Sequence, residues 1–214
     1  MILSAAFFGP VSASELVNRL NPTFSRINTT QGLSQSTVNV ISQDSVGIIW
    51  VGTTEGLNRY DGDKFEQFFS SSTADSLSND YVAAIIEDAD GVLWIGTDNG
   101  LNAFDGVRST FSRTDLDDRE TGFDVDHSSI RSLFIDNQSR LWVGTGKGLA
   151  RRAADGTFVH YHHSPDDRET LGEGGVRAIA QDGQGNIWVG TDSSGLSRLN
   201  PETDSIDRFE RDFS

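Results

Sequence analysis

Cysteine is missing from this chain, which excludes disulfide bonds, thiolate nucleophiles and cysteine-ligated zinc but leaves the compartment open. Basic residues are scarce. Against 32 acidic side chains stand 17 lysines and arginines, a formal net charge of −15, and no basic run is longer than Arg151-Arg152. Like charge therefore argues against nucleic acid or an anionic membrane surface as partner. Long apolar runs are lacking too: no stretch approaches the roughly 20 residues of a membrane-spanning helix. Proline occurs only 4 times but glycine 22 times, and with 36% hydrophobic residues this suits a turn-rich all-β chain with a real core.

What is present is a repeat. Trp50, Trp94, Trp142 and Trp188, the only four tryptophans, each sit in a W-[IV]-G-T cluster at spacings of 44, 48 and 46 residues. Their surroundings recur with them. Val38, Ile41, Asp44 and Gly47 precede Trp50-Val51-Gly52-Thr53, and Gly56-Leu57 follows. Val82, Ile85, Asp88 and Gly91 hold the same offsets before Trp94, and Ile130, Leu133 and Asp136 before Trp142, with Ser139 replacing the turn glycine. Val176, Ile179, Asp182 and Gly185 lead to Trp188, and Gly195-Leu196 follows after one extra residue.

Self-similarity at a fixed period points to a solenoid, propeller or array. Each copy divides into four short apolar runs; in the second they are 81–87, 92–97, 101–104 and the residues around Phe111. The Asp, Asn and Gly between them supply positive φ at little cost and close hairpins. The expectation is an all-β chain of β-propeller blades, each a four-stranded antiparallel meander, at about 34–76, 77–124, 125–171 and 172–214. Alternation along the W-[IV]-G-T strand puts each tryptophan on one face with its glycine: Gly52, Gly96, Gly144 and Gly190. A large ring beside a missing side chain lets neighbouring sheets interlock, so these residues read as structural. The repeat aspartates read as turn-closing acceptors of backbone N–H groups, because one carboxylate per turn is too few for a cation.

The ends carry their own signals. Residues 2–8 are apolar, Pro10 breaks the run, and Val11-Ser12-Ala13 offers small residues for a signal peptidase, although a basic start is missing. Residues 1–13 therefore read as a signal peptide, with an apolar N-terminal strand as the alternative. In the lead-in, 14–33, the segment 24–27 resembles the run that precedes each later repeat and reads as an orphan outer strand. Blade four already has a fourth run at 206–213, so the orphan finds no vacancy, and an incomplete arc of a larger propeller is expected.

The pattern [VI]-x-x-I-x-x-D-x-x-G-x-[LI]-W-[IV]-G-T-x-x-G-L resembles the bacterial two-component-regulator propeller repeat. Asn58-Arg59-Tyr60-Asp61, Asn102-Ala103-Phe104-Asp105 and Leu199-Asn200-Pro201 continue the likeness, as does the linker Ser164-Pro165-Asp166 with Thr170-Leu171. The resemblance implies the N-terminal, periplasmic, ligand-sensing part of a signal-transduction receptor anchored in the inner membrane. In that family tandem propellers precede a small β-sandwich, a membrane helix and a histidine kinase or diguanylate cyclase. It implies polysaccharide fragments or other extracellular solutes as ligands and membrane contact only through C-terminal regions not in this chain; a homodimer is a possible assembly that the sequence does not fix. No kinase or cyclase motif is present, so the chain itself is expected to be non-catalytic, without cofactor or metal.

In a four-stranded meander the inter-blade linkers and the G-T-x-x-G-L hairpins share one rim, where variable loops usually carry binding residues. The candidates there are Glu55, Asp98, Asn99, Lys147 and Asp192 in the hairpins, with Asn39, Arg131 and Arg177 near the start of the first strands. Two arginines at equivalent positions could clamp a uronate, sulfate or carboxylate; the plainer reading pairs each with a loop aspartate. His160, His162 and His163 suggest a metal only weakly, since an outer strand is normally solvated. The twice-used Asp-Asp-Arg-Glu-Thr, 117–121 and 166–170, reads as a duplicated linker. Two other function classes compete with a sensor. One is a streptogramin-lyase-like propeller enzyme, which the position of the histidines disfavours; the other is a secreted protein-interaction scaffold.

Overall fold

The computed structural model describes residues 24–114, 116 and 129–209. The presumed signal peptide, the first of the two Asp-Asp-Arg-Glu-Thr linkers and the tail beyond 209 lie outside them. Among the described residues, sixteen strands form four separate antiparallel sheets, each a meander in chain order. Sheet one comprises Val38–Gln43 (β1), Ile49–Thr53 (β2), Gly56–Tyr60 (β3) and Phe65–Phe68 (β4); sheet two comprises Val82–Glu87 (β5), Leu93–Thr97 (β6), Gly100–Asp105 (β7) and Thr110–Thr114 (β8). Sheet three is Ile130–Ile135 (β9), Leu141–Thr145 (β10), Gly148–Arg152 (β11) and Phe158–His162 (β12), and sheet four Val176–Gln181 (β13), Ile187–Thr191 (β14), Gly195–Leu199 (β15) and Ile206–Phe209 (β16). First strands lie side by side, β1 against β5, β5 against β9 and β9 against β13, as inner strands of propeller blades do. Residues 24–27, read from sequence as an orphan outer strand, pair with no sheet among the described residues; the lead-in continues as a 3-10 turn, Thr29–Gln31, capped by Asn28.

The junctions between blades are built alike. Each apolar cluster joins a tryptophan face to the first strands of the following blade: Trp50 and Leu57 meet Val82, Ile85 and Ile95; Trp94 and Leu101 meet Ile130 and Val143; Trp142 and Leu149 meet Val176 and Val189. At the centre of each lies a glycine. A Cβ on Gly52 or Gly96 would stand 2.5 Å from a methyl of Val82 or Ile130, and one on Gly144 2.7 Å from Val176. Those β-branched residues are fully buried. The glycine is the hole and the next blade's first residue the knob.

The tryptophan is held from its other edge. Nε1 of Trp50, Trp94, Trp142 and Trp188 donates to Oδ2 of Asp44, Asp88, Asp136 and Asp182 at 2.9, 2.7, 2.9 and 2.9 Å. The same carboxylates accept two backbone N–H bonds within the first hairpin, as Asp88 does from Asp90 and Val92. One carboxylate thus closes the turn and satisfies the only polar atom of the buried ring. Ser139 replaces the turn glycine in blade three and adopts φ 62°, so the left-handed turn survives the exchange. For Asp182, the bonds from Asn186 and Trp188 hold its pKa down at about 2. Burial pushes Asp136 upward, but bonds from Trp142 and Arg140 outweigh it and its pKa is also lowered.

Two expectations follow. Gly96→Ala should cost about 1–3 kcal/mol, because the added methyl meets Ile130. Gly190→Ala should be close to neutral, since only Ala178, 3.7 Å away, approaches that site; chemical denaturation of both variants tests the contrast. A carboxylate whose folded pKa is depressed stabilises the fold above its unfolded pKa, near 4, and loses this as pH falls through the folded value. The gap in melting temperature between wild type and Asp182→Asn should therefore be full near neutral pH and close between about pH 4 and about 2.

Candidate functional site

Linkers and second hairpins are tied together on one rim by the same bond in all four blades. Backbone N–H groups of Thr54, Asp98, Gly146 and Asp192 donate to the carbonyls of Thr37, Tyr81, Ser129 and Gly175 at 3.0–3.2 Å. The repeat threonine shapes each hairpin from within: Thr53, Thr97 and Thr145 donate to the carbonyls of Gly56, Gly100 and Gly148 and accept N–H bonds from Glu55, Asn99 and Lys147. In blades one and two, buried Asn58 and Asn102 bind the linker serines Ser34 and Ser78 through both backbone and hydroxyl. The rim loops therefore stand on a rigid base.

Three of the candidate residues converge. Arg131 leaves β9, crosses from blade three to blade four and places Nη1 2.6 Å from Oδ2 of Asp192; Nε of Arg177 lies 3.4 Å from the same oxygen. Oδ1 of Asp192 accepts the Gly175 N–H at 2.9 Å, which, with the Arg131 bond, keeps its pKa below the usual carboxylate value. Two guanidinium groups thus share one carboxylate, and of the two Arg177 is the more exposed, 61% against 27%.

Sequence reasoning missed Gly174 and Gly175. A Cβ on Gly175 would overlap the Arg131 guanidinium, and one on Gly174 would stand 2.5 Å from Asp192, where φ is already +104°. A glycine pair directly before the first strand of blade four was the available signal.

The other candidates are dispersed. Asn39 spends its amide on the Val82 carbonyl, 3.0 Å away, as a bridge between blades one and two. Asp98 accepts from Ser129 at 3.1 Å, and Asn99 donates to the Ser78 carbonyl at 3.3 Å. Glu55 and Lys147 are exposed at their hairpin tips. His160 and His162 lie on outer strand β12 as expected, and His163 turns its Nδ1 to the Leu171 carbonyl, 2.9 Å away. Among the described residues, no three His, Asp or Glu side chains gather in a way that could hold a metal ion. No described helix is long and apolar enough to cross a membrane. A surface cavity of about 680 Å³ lies on the opposite rim, lined by Asp88, Asp90, Arg140, Arg151 and Arg152 among others; Arg140 there is bonded to Asp136 and Glu202.

This geometry has relatives. The family model described as two component regulator propeller matches residues 32–55, 76–99, 124–147 and 170–193. An extracellular domain assigned to a hybrid two component system of B. thetaiotaomicron superimposes with a TM-score of 0.73 at 27% identity, covering 86% of this chain and 26% of its own. "Histidine kinase P4" of Formosa agariphila is 38% identical over 65 residues, 30% of this chain and 5% of that protein. A virginiamycin B lyase from Staphylococcus aureus shares the fold, with a TM-score of 0.61 over 86% of this chain and 58% of the lyase, at 11% identity. The chain thus spans about a quarter of its structural relative's length and one twentieth of the curated kinase. With four matched repeats folded into four blades, it belongs to the two component regulator propeller family.

Proposed function

We propose that this chain is the ligand-sensing propeller portion of a bacterial signal-transduction receptor, exported to the periplasm and itself non-catalytic. The likeness to an extracellular domain assigned to a hybrid two component system, extending over 86% of the chain, carries this reading. The ligand class that suits the rim is an anionic glycan fragment, such as a uronate-containing oligosaccharide. Arg131 and Arg177 bring two guanidinium groups to one carboxylate, an excess of one positive charge in a chain that is otherwise strongly acidic. A sugar carboxylate can take bidentate bonds from Arg177 while Asp192 stays with Arg131. In the whole receptor, occupancy of the rim would pass onward as a change in the geometry of a homodimer.

Calorimetric titration with uronate and neutral oligosaccharides of matched length tests this. The uronates should bind, more weakly as salt rises, and Arg177→Ala should reduce their affinity at least tenfold, since the bidentate contact is worth more than the roughly 1.4 kcal/mol that a factor of ten requires. Equal binding of neutral and acidic sugars, or an unchanged affinity in the variant, would move the site away from these arginines. Turnover of a ligand that stops on addition of a chelator would favour an enzyme instead.

A further inference from the structure

The seam between blades two and three, in the middle of the array, departs from the repeat in three places on the rim away from its linker. The first is the third-strand residue that pairs with the fourth strand near its start: Phe104 with Phe111, Leu199 with Ile206, Arg152 with Phe158. In blades two and four it plugs the seam with the preceding blade. Phe104 stands edge-on to Trp50 at 4.9 Å, and Leu199 is fully buried in the cluster around Trp142. In blade three the plug is a cation: the Arg152 guanidinium lies over the Trp94 ring, 5.4 Å from its centre.

The second departure is the polar staple across each seam. Ser45 of blade one donates its hydroxyl to Glu87 of blade two at 2.9 Å, and the Asn137 N–H of blade three donates to Gln181 of blade four at 2.8 Å. The corresponding pair between blades two and three is Ala89 and Ile135, and Ile135 has no side-chain acceptor. The third is the residue after the plug. Asp61, Asp105 and Asn200 accept backbone N–H bonds that close the third hairpin of their blades. Blade three has Ala153 there, and Asp155 closes the turn instead. The cavity at this seam is about 680 Å³, against about 420 Å³ for its counterpart between blades one and two, which Phe104 and Glu87 line. Two of its three arginines are committed: Arg140 to Asp136 and Glu202, Arg151 to the Pro201 carbonyl and Asp204. Among the described residues, Arg152 has neither a carboxylate within 4 Å nor a hydrogen bond, only the Trp94 ring.

We propose that this cavity binds a small molecule through one carboxylate held by Arg152. Three departures that coincide at one seam mark a function, because the same seam closes without them on either side. Stacking on Trp94 fixes the plane of the guanidinium and leaves its N–H edges for two parallel bonds to a carboxylate. Ala153 matters equally, since the repeat's aspartate at that position would neutralise Arg152. Asp88 and Asp90 also line the cavity; Asp88 is spent on Trp94 and its own turn, and Asp90 is exposed. One free positive charge beside two aspartates suits a single negative charge and repels a second. A sugar acid or hydroxy acid therefore fits better than sulfate or phosphate. This site is separate from Arg131 and Arg177, which stand on the other rim.

The indole N–H signals of the four tryptophans, followed by proton–nitrogen correlation spectra of the 214-residue chain, test this. The Trp94 signal is assigned by its loss in Trp94→Phe. Galacturonate and lactate should each shift it saturably, and galactose should not. Arg152→Phe restores the aromatic plug that Phe104 provides in blade two. It should melt no lower than the wild type and weaken binding of both acids at least tenfold. Ala153→Asp returns the repeat's carboxylate beside Arg152 and should weaken binding while leaving the seam intact. Arg177→Ala should leave the Trp94 shift unchanged, so failure of this site and failure of the rim reading are told apart. A Trp94 signal that neither acid moves at high millimolar concentration overturns the proposal and leaves Arg152 a packing residue of the seam. Binding that survives in Arg152→Phe overturns it as well, and sulfate binding more tightly than either acid overturns the carboxylate assignment.

Discussion

A side chain that is absent sets the spacing of this molecule. Where the W-[IV]-G-T strand passes the following blade, only glycine leaves room for Val82, Ile130 or Val176 to lie against the backbone. That approach lets the neighbouring tryptophan cover the rest of the seam, and it brings the first strands of successive blades side by side. A methyl group at the seam would force the sheets apart, and the tryptophans would lose much of the contact that buries them. Because the array is a chain of nearest-neighbour junctions, each of the first three blades depends on this contact with the next.

The tryptophan can serve the seam only if its indole N–H is satisfied, and the repeat aspartate supplies the partner from within its own hairpin. Turn closure and core packing are therefore coupled through one carboxylate. The coupling leaves that aspartate little capacity for a cation: in blade two, Oδ1 takes two backbone donors and Oδ2 takes the indole. The rim of linkers and second hairpins has its own repeated bonds, from Thr54, Asp98, Gly146 and Asp192 to the linker carbonyls, and the loops that stand on them are where the chain varies.

Much of this was legible in the sequence because it repeats. Strands, hairpins and the pairing of tryptophan with glycine recur at fixed offsets, and four copies separate a rule from an accident. The six-residue spacing from Asp44 to Trp50 also recurs, yet the bond it encodes stayed hidden. In an ideal strand those residues would lie far apart, and only the hairpin between them folds one back on the other. The rim was legible in its members but not in its contacts. Arg131 and Arg177 stood out by position; their common partner Asp192 lies 61 residues from Arg131, in a hairpin lengthened by one residue. Asn39, at the equivalent position, turned out to bridge two blades, because a short amide reaches the Val82 carbonyl where a longer guanidinium passes beyond it. The segment 24–27 has the composition of an outer strand, but a strand is defined by its neighbour, and none lies beside it among the described residues.

The unequal standing of the two arginines gives the rim its chemical character. Arg131 lies over Gly175, spans the seam between blades three and four and makes the shorter bond to Asp192, so it belongs to the scaffold as much as to the rim. Arg177 makes the longer contact and faces solvent, so its charge is the less neutralised. An acidic surface elsewhere repels anions at long range, so an anion that settles here must be held by short, directed bonds. For the reading proposed above, that requirement favours a ligand offering a planar carboxylate over a densely charged polyanion. Selectivity at this rim would then rest on one well-placed positive charge in a field that excludes most of its competitors.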